Sequence, residues 1–216
     1  MSSTSIAIVD YGMGNLHSIA KALEHASDAA RVQVTQDPAG ILAADRVVFP
    51  GVGAIGHCME ELGRLGLAPV LAEAAASRPL LGICLGMQAL MERSEESGGT
   101  RCLGLIAGRV RRFPEPLTDA ASGERLKIPH MGWNRVRQHD HPLWEGIADG
   151  TRFYFVHSYY VQPDDPANAA GLCDYGVEFA AAVARGNLFA VQFHPEKSQT
   201  AGLRLLANFV QWDGSV

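Results

Sequence analysis

The sequence predicts an α/β fold, a mostly parallel central sheet flanked by helices, with antiparallel hairpins in the C-terminal half. Three observations carry this expectation. Short apolar runs alternate with helically spaced ones from Ile6 to Met91, and such alternation implies right-handed crossovers between parallel strands. Past Gly98 the texture changes to strand-like stretches joined by short turns. The 216 residues, 47% hydrophobic and 19% charged, suit a single domain, 1–216, with ample core material.

Taken in order, Ile6 to Val9 reads as a buried strand and Asp10 to Asn15 as a Gly-rich turn. Leu16, Ile19, Ala20 and Leu23 then share one helical face. Val32 and Val34 start a second strand and Arg46 to Phe49 forms a third, broken by Pro50-Gly51-Val52-Gly53. Met59, Leu62 and Leu65 define the next helix, and Leu67 to Ala76 reads as a second one or as a continuation interrupted near Gly66. Leu80 to Ile83 is a fourth buried strand, and Leu85 to Met91 begins the following helix. Beyond it, Leu103–Phe113, Lys127–Val136, Arg152–Val161, Val177–Ala184 and Leu188–Phe193 read as strands, with a hairpin turn at Arg185-Gly186-Asn187. A closing helix places Leu203, Leu206, Phe209 and Val210 on one face.

Composition excludes more than it identifies. The formal net charge is -5 with no block of one sign, which argues against a nucleic-acid or membrane surface. The polar N-terminus runs straight into the first strand without a signal-like apolar core, and the apolar run from Leu80 to Met91 falls short of the ~20 residues that cross a bilayer. Cys58, Cys84, Cys102 and Cys173 form no Cys-x-x-Cys pair and no finger-like spacing with histidine. A cytoplasmic chain with four free thiols is the expectation.

Two segments carry chemistry. Gly82-Ile83-Cys84-Leu85-Gly86 lies where a buried strand meets a helix, in the layout of a nucleophile elbow with cysteine as nucleophile. A sharp turn of this kind needs small neighbours. The helix start favours a thiolate at Cys84, and the Leu85 N–H points to where an oxyanion forms. The second segment, His194-Pro195-Glu196, ends a strand-like stretch. Residues two apart in an extended chain face the same side, so His194 can take the thiol proton while Glu196 fixes its tautomer. Each segment alone is compatible with a structural thiol or a satisfied strand-end histidine. Together they point to a cysteine-dependent hydrolase.

With Gly82 to Gln88 and His194-Pro195-Glu196 as anchors, the chain resembles the class I (triad) glutamine amidotransferases, a flavodoxin-like family. Pro50-Gly51-Val52-Gly53 resembles that family's oxyanion loop. Four further segments resemble the glutaminase subunits of imidazole glycerol phosphate synthases: Asp10 to Asn15, Pro129-His130-Met131-Gly132-Trp133-Asn134, Tyr154 to Tyr159, and His194 to Ser198. The resemblance runs from Ile6 to about Phe209. It implies a Cys84, His194 and Glu196 triad that hydrolyses L-glutamine, with the oxyanion held by Gly51, Val52, Gly53 and Leu85. It implies that Gln88, Tyr154, His157 and Ser158 recognise the substrate, and that the oxyanion loop changes conformation when the synthase is occupied. It also implies a (β/α)8-barrel cyclase as partner, receiving ammonia for histidine biosynthesis, with Asn15, Trp133 and Lys197 at the interface. Neither metal nor organic cofactor is implied. The alternatives are a triad glutaminase serving another synthase, and a stand-alone cysteine amidohydrolase.

Other features have plainer readings. Gly12-x-Gly14 after a strand evokes a dinucleotide fingerprint, with Asp37 further on, but His17 occupies the third glycine position and would crowd the helix–strand contact. His139-Asp140-His141 reads as a solvated loop rather than a metal site. Trp133 reads equally as a core aromatic or an interface residue. His130 and His157 read as satisfied polar residues or as site lining, and Cys58, Cys102 and Cys173 as inert.

Overall fold

A computed structural model of the chain describes residues 3–119 and 121–215. Its first part is β1 (Thr4–Val9), α1 (Leu16–Ala26), β2 (Ala30–Thr35), α2 (Pro38–Ala43), β3 (Arg46–Gly51), α3 (Ile55–Arg64), α4 (Leu67–Ser77), β4 (Leu80–Cys84) and α5 (Leu85–Ala89). Next come β5 (Arg93–Ser94), β6 (Thr100–Arg101), β7 (Gly108–Arg112), β8 (His130–Arg135) and β9 (Arg137–Gln138). The chain closes with β10 (Arg152–His157), β11 (Tyr159–Pro163), β12 (Ala169–Asp174), β13 (Glu178–Arg185), β14 (Leu188–Val191) and α6 (Gln199–Gln211).

The main sheet runs β2-β1-β3-β4-β14-β13-β11-β7-β5-β6. Its first five strands are parallel, as the alternation predicts. From β14 onward the pairs β14–β13, β13–β11 and β11–β7 are antiparallel. β8 and β10 stand apart as a two-stranded antiparallel ribbon. Period-two alternation on β1 explains the layering: Ile6 and Ile8 pack with α1 and α6 residues such as Leu23, Leu206 and Phe209, whereas Ala7 and Val9 face Ile41, Leu62 and Leu71 of α2, α3 and α4. Each fully buried Val, Leu, Ile or Phe side chain among these contributes about 1.5–3 kcal/mol.

The departures from the sequence reading have local causes. α2, six residues long, shows little periodicity; Pro38 at its start and the Asp37 carboxylate, which accepts the Gly40 N–H at 2.9 Å, set it. β3 is not broken at Pro50, since Pro50 and Gly51 pair with Ile83 and Cys84. Leu103–Phe113 is strand only from Gly108, because the amides of Leu103, Gly104 and Leu105 bond back to Ala89, Met91 and Leu90. Lys127–Val136 becomes strand only at His130, after Pro129, which has no N–H for a ladder. Arg152–Val161 divides at Ser158 between the ribbon and the main sheet. On α6, Leu205 rather than Leu203 joins Leu206, Phe209 and Val210 in the buried face.

Candidate active site

Cys84 ends β4 with φ 53° and ψ -107°, a left-handed backbone that costs a non-glycine residue about 1–3 kcal/mol. Its surroundings hold it there. A Cβ on Gly82 would stand 2.9 Å from the Ala190 Cβ, and one on Gly86 would collide with the Phe49 carbonyl oxygen. The elbow therefore needs both glycines, as the sequence implies. The helix behind it, α5, has only five residues, so the nearest N–H groups rather than a long helix dipole supply positive potential.

His194 follows β14 in an extended conformation, φ -101° and ψ 99°. Its Nδ1 lies 2.8 Å from Glu196 Oε1, and the two side chains are 4% and 1% exposed. The contact forms differently from the strand alternation expected: Glu196 sits in a 3-10 turn, Pro195–Lys197, that curls its carboxylate back under the imidazole. Gly202 makes that turn possible, since a Cβ there would strike the Pro195 carbonyl. Ser198 Oγ donates to the His194 carbonyl at 2.7 Å and accepts from the Tyr154 N–H at 3.0 Å. With Nδ1–H given to the carboxylate, Nε2 is the free position, buried without a hydrogen bond. Burial pushes the His194 pKa down, but the neighbouring Cys84 and Glu196 outweigh it, and the value rises to about 9.

Cys84 and His194 open into a cavity of about 350 Å³. Val52, Gly53, Leu85, Gln88, His157 and Ser158 also line it, so eight of the sequence-predicted site residues meet there. Gly51 does not; it is inside β3, paired with Cys84. Tyr154 is likewise outside the lining, its ring 6.1 Å from the Trp133 ring and under Lys197 Nζ at 6.0 Å. Glu96, Pro129, Val156 and Tyr159 complete the walls. Glu96 starts a 3-10 turn, Glu96–Gly98, in a stretch without any motif, so nothing in the sequence marks it. Gln192 was missed although a signal existed: it precedes His194 by two residues in the same extended stretch, and its Nε2 reaches Cys84 Sγ at 3.6 Å. A larger hollow of about 630 Å³ lies at the N-terminal ends of β1 and β2, but its lining brings no cysteine or histidine together. Cys84 instead sits at the carboxyl end of β4, where open α/β sheets bind ligands.

Residues 7–212 match the family described as glutamine amidotransferase class-I. The chain belongs to the class-I glutamine amidotransferase family. It is 68% identical over 212 residues to the imidazole glycerol phosphate synthase subunit HisH of Methylococcus capsulatus, covering 97% of each. It is 60% identical over 211 residues to subunit HisH 1 of Pseudomonas aeruginosa, covering 97% of this chain and 98% of that one. Among solved structures it resembles one described as a glutamine amidotransferase, with a TM-score of 0.70 and 16% identity over 95% of this chain and 97% of that one. It also resembles PurLQS from Thermotoga maritima, with a TM-score of 0.67 and 17% identity over 98% and 97%. At those identities the structures speak for the fold alone.

Several residues of this amidotransferase are now placed. The Asp10–Asn15 segment forms a tight turn between β1 and α1. Its glycines have φ of 84° and 115°, and the Tyr11 hydroxyl donates to the Pro50 carbonyl at 2.9 Å, tying the turn to the end of β3. Asn15 is exposed at the start of α1 and makes no side-chain cap. Trp133, 43% exposed, is a surface side chain rather than a core one, flanked by Met131 at 61%. His157 both lines the cavity and bonds His130, so it answers to both readings. His141 is not solvated. It is buried against Phe189 and Trp212, and burial lowers its pKa to about 4. Burial raises the Cys58 and Cys173 thiols to about 12 and Cys102 to about 11, which suits inert roles. Among the described residues, no helix is long and apolar enough to cross a membrane.

Proposed function

We propose that this chain hydrolyses L-glutamine through Cys84, His194 and Glu196 and delivers the ammonia to a (β/α)8-barrel cyclase that forms imidazole glycerol phosphate. The observation that carries the reading is the left-handed Cys84 sharing a cavity with an imidazole whose other nitrogen is held by a buried carboxylate. Cys84 Sγ attacks the side-chain amide carbon, and the carbonyl electron pair moves onto oxygen. The Leu85 N–H and the Val52–Gly53 peptide are the donors for that oxyanion. His194 Nε2 carries the thiol proton to the departing nitrogen, and ammonia leaves a glutamyl thioester. His194 then takes a proton from water, the hydroxide displaces the thiolate, and the proton returns to sulfur.

Gly53 has φ 95° and Val52 is 43% exposed, so the oxyanion loop has the backbone freedom to change its peptide orientation when a partner covers it. Val52, Met131 and Trp133 are three of the four exposed large hydrophobics among the described residues. These three, with the exposed Asn15 and Lys197, are read as the cyclase contact. Glutamine is held by Gln88, His157 and Ser158 from the cavity wall. Four free, buried cysteines suit a reducing cytoplasmic compartment.

Glutamate release is the test, measured for the chain alone and with the cyclase and its nucleotide substrate. Near-silence alone and strong activation in the complex are expected. High activity alone would replace the reading with an ungated amidohydrolase, and silence in both would point to another synthase.

A further inference from the structure

Gln192 is fully buried immediately after β14, its backbone N–H bonded to the Ala181 carbonyl at 2.8 Å. Its side chain bridges two groups, accepting at Oε1 from Gln88 Nε2 at 3.0 Å and donating from Nε2 to Cys84 Sγ at 3.6 Å. The direction of that amide follows from its neighbours. The Tyr159 carbonyl can only accept, so the Gln88 atom 3.1 Å from it is the nitrogen. The same nitrogen faces Gln192, which must present its oxygen there. The Gln192 N–H is then left facing the sulfur.

A second line of bonds fixes the same carbonyl. Asn134 Nδ2 lies 3.3 Å from His130 Nε2, His130 Nδ1 2.9 Å from His157 Nε2, and His157 Nδ1 2.8 Å from the Tyr159 oxygen. Because the carbonyl accepts, His157 carries its proton on Nδ1 and accepts at Nε2. His130 in turn carries its own on Nδ1. Every donor in the array has one acceptor direction, and the array ends at the nucleophile.

We propose that Gln192 is a further catalytic residue of the glutaminase site: its side-chain N–H holds the Cys84 sulfur as a thiolate and steadies it again when the thioester breaks. The assignment rests on the glutaminase reading, but its geometry is independent of the substrate. A neutral N–H···S contact is weak, whereas one to a thiolate is charge-assisted. The donor therefore favours the charged form, and it does so without a proton that could be lost to the sulfur. His194 cannot do both, since its Nε2 must release its proton to the leaving nitrogen.

Two variants test this, Gln192→Glu and Gln192→Met, read by the rate of Cys84 alkylation with iodoacetamide across a pH series, followed by mass spectrometry of the Cys84 peptide. Gln192→Glu keeps the acceptor for Gln88 and puts an oxygen where the donor was. Alkylation at neutral pH should slow about tenfold, and the profile should move up by about one pH unit. Gln192→Met removes the donor without adding charge and should shift the profile the same way by about half as much. In the cyclase complex, kcat for glutamine should fall with KM little changed. Wild-type alkylation profiles in folded variants would overturn the proposal and leave Gln192 a core side chain; if Gln192→Glu does not fold, Gln192→Met decides alone. Absence of glutamate release by the wild-type complex would instead count against the glutaminase reading, with the alkylation result still standing.

Discussion

The ends of β4 and β14 and the ribbon of β8 and β10 meet at one cavity, yet they are built in opposite ways. At the strand ends, Cys84, Gln192 and His194 are buried, and glycines there are forced by close backbone approach. On the ribbon, Met131 and Trp133 are exposed, and a Cβ on Gly132 would meet nothing within 4 Å. Close packing holds the side chains of the first in place. The second is left free to be covered by another surface. Reacting groups need preorganisation from within the chain, while recognition groups obtain their order from the partner.

The largest expected effect breaks the first region alone. Cys84→Ala should lower glutamate release in the cyclase complex by at least about 10³-fold, while the urea unfolding midpoint barely moves; retained turnover would remove Cys84 as nucleophile. Next comes a matched pair of glycines. Gly86→Ala drives a Cβ into the Phe49 carbonyl and should destabilise the fold by about 3 kcal/mol. Gly132→Ala, with φ 134° but open space, should cost only about 1–2 kcal/mol. Equal costs in urea titrations would erase the contrast between the regions. Trp133→Ala should then change stability by less than about 0.5 kcal/mol and weaken cyclase binding by about 1–2 kcal/mol in calorimetry. Unchanged binding would take Trp133 out of the interface.

The smallest effect is a difference of sign with pH. The His194 pKa rises from 6.5 to about 9 on folding, so its contribution is fully present below pH 6.5 and is lost as pH rises through about 9. On the ribbon, burial lowers His130 to about 4, and burial together with His130 lowers His157 to about 3. These two are charged only in the unfolded chain between those values and pH 6.5, so they cost stability as pH falls from 6.5. Glu196→Gln removes part of the His194 rise, the rest coming from Cys84, and should reduce the slope of the unfolding profile on the alkaline side while leaving the acid side alone. A profile flattened at both ends would show that the two regions titrate together.

Legibility followed the range of the interaction. The elbow could be read from Gly82 to Gly86 because the constraint on Cys84 is local, a left-handed turn with small neighbours. β1 to β4 could be read because apolar runs and helical periods alternate within a few residues. Arg152–Val161 looked like one strand because its apolar content is continuous, and only pairing of the ribbon with β8 and of β11 with β7 divides it. Tyr154 shares a motif with His157 and Ser158, yet its side chain points to Trp133 and Lys197 rather than into the cavity. His141 looked solvated because its neighbours His139 and Asp140 are polar and exposed, while Phe189 and Trp212, which cover it, lie far along the chain.

By itself, the sequence determined the alternation that makes a covered parallel sheet, the sharp turn at Cys84, and the pairing of His194 with a carboxylate two residues on. Those depend on periodicity, glycine sterics and residue chemistry among near neighbours. Only the tertiary structure decided that Glu196 reaches His194 through a 3-10 turn, that Trp133 stands outside the core, and that the Gln192 amide points its nitrogen at sulfur. Each of these depends on a group beyond the immediate neighbours, from the Pro195 carbonyl against Gly202 seven residues on to the partner strand of the ribbon and the Tyr159 carbonyl far along the chain. A hydrogen bond's direction is set by what lies at its far end.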